Sequence, residues 1–132
     1  MTEKILVVDD SRDTREMMTK LLELESFNVI TAEDGRIGFD TAKAERPDII
    51  ITDINMPNLN GIEMIRLLRG EGDFGSVPIM AITAYGQNVA QEAVEAGANQ
   101  ATTKPIDFDK LIRGIRQLLD SAKGNHKRNG FA

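Results

Sequence analysis

The chain has 132 residues, a formal charge of −5 and no cysteine. That length suits one domain with a real hydrophobic core, and the acidic balance, without a basic stripe, argues against a nucleic-acid surface. The lack of cysteine rules out disulfides, thiolate chemistry and Cys-based zinc sites, and fits a cytoplasmic address. The one histidine, His126, sits in a polar stretch, so a His-based catalytic or metal site is not expected. No apolar run approaches the roughly 20 residues of a membrane span, and Met1-Thr2-Glu3-Lys4 leads into a strand without a signal-peptide pattern.

Strand and helix signals alternate five times. Ile5-Leu6-Val7-Val8 forms a first strand. Ser11 or Asp13 can cap the helix that follows, with Glu16 placed for a capping box and an apolar face of Met17, Met18, Leu21 and Leu22. A short second strand is expected at Val29-Ile30. Asp34-Gly35 then turns into a helix around Ile37 to Ala44. Pro47-Asp48 ends that helix and opens a third strand, Ile49-Ile50-Ile51-Thr52. Beyond a loop from Met56 to Gly61, Asn60 caps a helix bearing Ile62, Ile65 and Leu68. A loop from Gly70 to Val77 leads to Pro78 and a fourth strand, Ile79-Met80-Ala81-Ile82. The helix from Asn88 to Ala96 has only small apolar residues (Val89, Ala93, Val94, Ala96) and is expected to be weakly anchored, with Gly97 as its stop. The fifth strand, Gln100 to Thr103, is the least apolar and suits a sheet edge. Phe108, Leu111, Ile112, Ile115, Leu118 and Leu119 follow helical spacing in the last helix. Residues 121–132 carry Lys123, Lys127 and Arg128 with no acid and read as a flexible basic tail.

Continuous branched runs separated by amphipathic helices indicate an α/β fold whose parallel strands are buried on both faces. In such sheets the carboxyl ends of the strands meet along one edge, where ligands bind. Asp9 and Asp10 follow the first strand, Asp53 closes the third, Thr83 follows the fourth and Lys104 the fifth. Taken singly, each has an ordinary explanation: a helix-capping Asp pair, a strand threonine, a solvated lysine before Pro105 at a helix start. Together at one edge they describe a site for a divalent cation and a phosphoryl group. Adjacent carboxylates repel, and bound metal is the usual remedy; all-oxygen ligands favour Mg²⁺, with Mn²⁺ also suitable.

With these residues in order, the chain resembles the receiver (CheY-like) domain of two-component response regulators over Lys4 to Leu119. The segments that carry the resemblance are Val7-Val8-Asp9-Asp10, Pro47-Asp48, Asp53-Ile54-Asn55-Met56-Pro57 with Gly61, Ile82-Thr83-Ala84, Gly97-Ala98 and Lys104-Pro105. The resemblance implies a doubly wound, flavodoxin-like, five-stranded parallel sheet of order 2-1-3-4-5 in a domain spanning 1–120. It implies a phosphorelay role rather than an enzymatic one, with only self-phosphotransfer and autodephosphorylation chemistry. Asp53 would accept phosphate from a histidine kinase or histidine phosphotransfer protein. Asp9, Asp10, Asp53 and the Asn55 backbone carbonyl would hold Mg²⁺. Lys104 would pair with Asp53 and then with the phosphoryl group, and Thr83 would report occupancy to a downstream protein partner. No nucleic-acid or membrane contact is implied for this domain.

Two departures from the family pattern stand out. The position three residues before the lysine, usually Tyr or Phe, is Ala101, which puts the usual output movement in doubt. Tyr85, the chain's one tyrosine, lies two residues after Thr83, where its ring could lie over the phosphoryl group or simply pack in the loop. Thr83, Ala84, Tyr85, Ala101 and Pro105 are therefore the expected switch positions. Other functions fit less well. A haloacid-dehalogenase-type phosphatase needs its nucleophilic Asp-x-Asp after strand one. A flavin module needs a hydroxyl-rich phosphate loop where Asp9-Asp10 would repel phosphate. A receiver-fold docking module independent of phosphorylation is the remaining alternative.

Overall fold

The computed structural model describes the backbone of residues 2–131 and the side chains of residues 2–122. Its elements run β1 (Lys4–Val8), α1 (Arg12–Leu24), β2 (Asn28–Ala32), α2 (Gly35–Glu45), β3 (Ile49–Asp53), α3 (Gly61–Arg69), β4 (Ile79–Thr83), α4 (Gln87–Ala96), β5 (Gln100–Thr103) and α5 (Phe108–Phe131). The strands form one parallel sheet in the order β2-β1-β3-β4-β5, the expected doubly wound arrangement.

Side chains alternate across each strand, and here both faces find an apolar partner. Leu6, Val8, Ile50, Ile79 and Ala81 face one way and pack with Ala42, Ile62, Met64, Ile65, Leu68 and Ala93 from α2, α3 and α4. Ile5, Val7, Ile49, Ile51, Met80 and Ile82 face the other way and pack with Met18, Leu22, Leu111, Ile115 and Leu119 from α1 and α5. Two covered faces explain why the strand sequences read as unbroken apolar runs rather than alternating ones.

Local signals set most boundaries. Ser11 caps α1 by accepting the Thr14 N–H at 3.3 Å, so the alternative cap at Asp13 is not used. Asn60 and Glu63 form a reciprocal capping box on α3. Gly61 is required by a close approach, because a Cβ there would lie 2.3 Å from the Asp53 carbonyl oxygen.

Several boundaries differ from the sequence reading. β2 is longer than Val29-Ile30, because it pairs with all of β1 from Lys4 to Val8. The loop before β4 contains a 3-10 turn, Gly72–Phe74, which buries Phe74. The buried residues of α4 are Ala90 and Ala93, whereas Val94 is exposed. The Lys104–Pro105 peptide bond is cis, and α5 begins at Phe108, so Pro105 does not occupy its first turn. α5 continues past the expected end near Leu119 to Phe131. The flexibility expected of 121–132 concerns a segment whose side chains, from Lys123 onward, lie outside the described residues.

Unequal anchoring of the helices has a measurable consequence. Ile115 is wholly buried while Val94 is 42 % exposed. Ile115→Ala is expected to cost about 2–5 kcal/mol in urea denaturation. Val94→Ala should stay within about 0.5 kcal/mol of the parent.

Candidate phosphoacceptor and metal site

The sheet order decides where the site lies. The chain winds from β1 outward to β2, then returns to place β3 on the other side of β1, and the crevice at such a switch point is where ligands bind. The register pairs Val8 with Thr52, so Asp9 and Asp53 leave the sheet as neighbours. Asp9 remains tied to β2 through its N–H to the Ala32 carbonyl at 3.0 Å. On the far side, Thr83 pairs with Thr103, and the Lys104 N–H donates to the Thr83 carbonyl at 2.8 Å.

These constraints bring the expected acids together. Asp9, Asp10 and Asp53 each present a carboxylate oxygen, and the three oxygens lie within 4.8 Å of one another. Asp9 and Asp53 are buried and Asp10 is exposed. One Asp53 oxygen accepts the Ile54 N–H at 2.8 Å. The other faces the Lys104 ammonium at 3.7 Å, an ion pair longer than a hydrogen bond. One Asp9 oxygen accepts the Ser11 N–H at 2.8 Å.

The electrostatics follow from this crowding. Burial pushes the Asp9 carboxyl above its ordinary value and the Asp10 charge adds to the effect, while the Ser11 N–H, Lys104 and Arg15 pull it down. Burial also raises Asp53, reinforced by the charges on Asp9 and Asp10 and opposed by Lys104 and the Ile54 N–H. In both cases desolvation of the anion outweighs the nearby cations. A hard divalent ion fits such a donor set, since it would offset the charge with oxygen ligands alone.

The remaining expected positions surround this cluster. Thr83 is fully buried, and its hydroxyl oxygen accepts the Tyr85 N–H at 2.9 Å. Ala84 and Tyr85 are exposed, with Tyr85 at 68 %, so the ring is not packed into the loop. Ala101 is half-buried and packs on the core face shared with α3 and α4. Asn55 and Pro105 are exposed. Arg15 is a neighbour that sequence reading missed: its guanidinium donates to the Asp9 carbonyl at 2.7 Å. An arginine in the first turns of α1 carries no pattern that marks this backward reach. The void lined by Val7, Asp9, Thr14, Met18, Asp53 and Ile106 is about 10 Å³, room for roughly one water.

Residues 5–116 match the family model for the response regulator receiver domain. The chain belongs to that family. It is 38 % identical over 120 residues to the response regulator MprA of Mycolicibacterium vanbaalenii, covering 90 % of this chain and 51 % of the relative. Against the MprA of Mycobacterium tuberculosis H37Rv the identity is 37 % over 124 residues, covering 93 % and 53 %. This receiver thus spans about half the length of the curated relatives it matches. Among solved structures, the chemotaxis response regulator CheY4 of Vibrio cholerae superposes with a TM-score of 0.83 at 31 % identity, covering 89 % of this chain and 99 % of that one. A receiver domain protein from Clostridium thermocellum gives 0.85 at 27 % identity, covering 92 % and 97 %. Both the resemblance and the fold read from the sequence are confirmed, and the chain is a receiver domain of two-component signalling. Among the described residues no helix is long and apolar enough to cross a membrane.

The raised carboxyls make stability depend on pH in a defined direction. Asp9 and Asp53 hold protons more tightly in the fold than in the unfolded chain. Stability therefore falls as pH rises from the unfolded carboxylate range, about 3.9, through the raised folded values. Asp9→Asn removes one ionisable group yet keeps an oxygen for the Ser11 N–H. In chelator at neutral pH the variant should melt above the parent. That gap should close once the pH drops below about 4, where the unfolded carboxylates also hold their protons. Melting curves across this range check the sign.

Proposed function

We propose that this receiver accepts a phosphoryl group on Asp53 in a Mg²⁺-dependent reaction and thereby switches its protein contacts. The observation that carries this reading is the Asp53 carboxylate itself, held between Lys104 at 3.7 Å and the carboxylates of Asp9 and Asp10 within 4.8 Å. Gathering acceptor, cation and metal-type ligands at one edge favours phosphorylation over a docking module that never takes phosphate.

An Asp53 oxygen attacks phosphorus of a phosphohistidine on a histidine kinase or histidine phosphotransfer protein. The new P–O bond forms as the P–N bond breaks, and the electron pair stays on the imidazole nitrogen, which takes up a proton. Phosphoryl transfer depends mainly on positioning and on neutralising charge at the equatorial oxygens. Asp9, Asp10, Asp53 and the Asn55 carbonyl would hold Mg²⁺, which would supply part of that neutralisation. Lys104 supplies the rest by exchanging its pairing with Asp53 for a phosphoryl oxygen. The Thr83 hydroxyl, whose oxygen already accepts the Tyr85 N–H, has its proton free to donate to the phosphoryl group. A shift of that hydroxyl loads directly onto the loop that starts α4.

The switch is then expected to centre on 84–97. The N-cap of α4, Gly86, makes no side-chain capping bond, and the residues the helix buries, Ala90 and Ala93, are small. Ala101 offers no ring to turn inward, so β5 should rearrange little. The downstream target is a protein that reads this surface.

Incubation with acetyl phosphate and Mg²⁺ should add one phosphoryl mass. Chelator should prevent the gain, and so should Asp53→Asn; a gain that persists in that variant refutes the assignment. Mg²⁺ should bind at about millimolar strength, because few protein ligands are offered, and Asp10→Asn should weaken it.

Tyr85 bears on the lifetime of the phosphoryl group. Its exposed ring stands two residues from Thr83, close enough to obstruct an attacking water once the loop has moved. Tyr85→Ala is expected to shorten the aspartyl-phosphate lifetime about tenfold, equivalent to about 1.4 kcal/mol of barrier. An unchanged lifetime would leave Tyr85 as a partner-contact residue. Ala101→Tyr should alter the output surface more than the hydrolysis rate.

A further inference from the structure

The loop between β3 and α3 carries Asn55, and its shape is not set by the site alone. At its base the Gly61 N–H closes onto the Ile54 carbonyl at 2.8 Å. Its outer corner is exposed and includes Asn58 in the left-handed region, φ 67°. Among the described residues, the hydrogen bonds that tie 55–59 to another element both end at the start of α2. The Asn58 side-chain amide donates to one Asp34 oxygen at 2.8 Å, and the Gly35 N–H donates to the Leu59 carbonyl at 2.9 Å.

Asp34 is built to hold this contact. It is 6 % exposed, and its second oxygen accepts the Ile37 N–H at 2.8 Å as the cap of α2. Both carboxylate oxygens are thus engaged, one by the helix and one by the loop. Bonding to the Ile37 N–H and then to Asn58 lowers its carboxyl below the ordinary value, which keeps the acceptor ionised wherever the protein is folded near neutrality. Glycine at 35 is enforced by the same approach: a Cβ there would lie 2.1 Å from the Leu59 oxygen.

We propose that Asp34 and Asn58 form a latch that positions the loop after Asp53, and with it the Asn55 carbonyl, for metal binding and phosphoryl transfer at Asp53. The proposal rests on the function proposed above and assigns Asp34, which touches none of the reacting groups, a positioning role. A helix cap on the neighbouring element thereby becomes part of the site's support. Partners that orient metal ligands in this way typically change affinity by about 10–100-fold when removed.

The test uses an exchange of partners. In Asp34→Asn the cap oxygen survives, since Asn caps helices as well as Asp does, and the Asn58 side chain can turn its own oxygen toward the new amide, so this variant is the control that keeps the latch. Asn58→Asp sets two carboxylates against each other. The double variant D34N/N58D restores a donor and an acceptor with their positions reversed. Asn58→Gly removes the side chain while keeping a residue that accepts the left-handed backbone. Two readouts are taken on the whole chain: Mg²⁺ affinity from amide shifts on titration, and hydrogen exchange at Asn55 and Met56 without metal.

Asn58→Asp and Asn58→Gly should each bind Mg²⁺ about tenfold more weakly and exchange these amides faster, while Asp34→Asn stays near the parent and the amides of β1 and β3 stay protected. D34N/N58D should recover both properties to near the parent. Unchanged affinity and exchange in Asn58→Asp and Asn58→Gly, with Asp10→Asn still impaired, overturn the latch and leave the site reading intact. A Mg²⁺ response in the parent that Asp10→Asn does not affect overturns the site reading instead, and the latch's role in metal binding with it.

Discussion

Three carboxylates crowd the carboxyl edge of the sheet with one lysine to oppose them, and much of the structure serves to hold them there. Asp9 and Asp53 are buried anions whose desolvation is only partly offset by Lys104. Left to themselves they would separate into water. They do not, because Val8 and Thr52, the residues before them, lie in adjacent β-strands clamped between two apolar layers. Burial of branched side chains on both faces stabilises the sheet, and part of that stabilisation offsets the repulsion. The three acids are therefore in electrostatic conflict, which a divalent cation or a changed charge on Asp53 would relieve.

Support around the acids is uneven, and the unevenness follows chemistry. The loop after Asp53 is tied at its base by Gly61 and at its corner by Asp34 and Asn58. Among the described residues, the side-chain hydrogen bonds that tie α4 to other elements lie at its C-terminal end. Arg69 donates to the Gly97 and Phe74 carbonyls and to the Asn99 side-chain oxygen, which also accepts the Ile79 N–H. That clasp fixes the C-terminal end of α4 to α3 and to the start of β4. Its N-terminal end, next to Tyr85, has a glycine cap with φ 91° and no side-chain bond. The half of α4 nearest Thr83 thus lacks such a clasp among the described residues, and it is where the proposed switch would act.

The acid set, Thr83 and Lys104 were legible in the sequence because each ends or follows a strand, and strand ends of a parallel sheet converge by topology. The strands themselves were legible because two covered faces demand unbroken apolar runs. Asn60 and Gly97 announced helix ends through residue types with few other uses. What stayed hidden depends on contacts between segments distant in the chain. Asp34 reads as an ordinary cap, yet its second oxygen serves Asn58, a partner 24 residues away. Arg69 carries no sequence pattern that marks it, yet it donates both to Phe74 and to Gly97 and Asn99 in the connection from α4 to β5.

By itself the sequence determined the fold class, the parallel sheet and the identities of the charged groups at its edge, since periodicity and residue type depend on near neighbours alone. Tertiary structure decided which of those groups meet and at what distance. It set Lys104 3.7 Å from Asp53 and three carboxylate oxygens within 4.8 Å of one another. It also decided that Ala90 rather than Val94 is buried on α4, because the phase of a small-residue helix is chosen by the surface it lands on. The same holds for protonation: burial, more than residue type, raises Asp9 and Asp53 while hydrogen bonds lower Asp34. One residue type thus takes opposite shifts according to what the fold places around it.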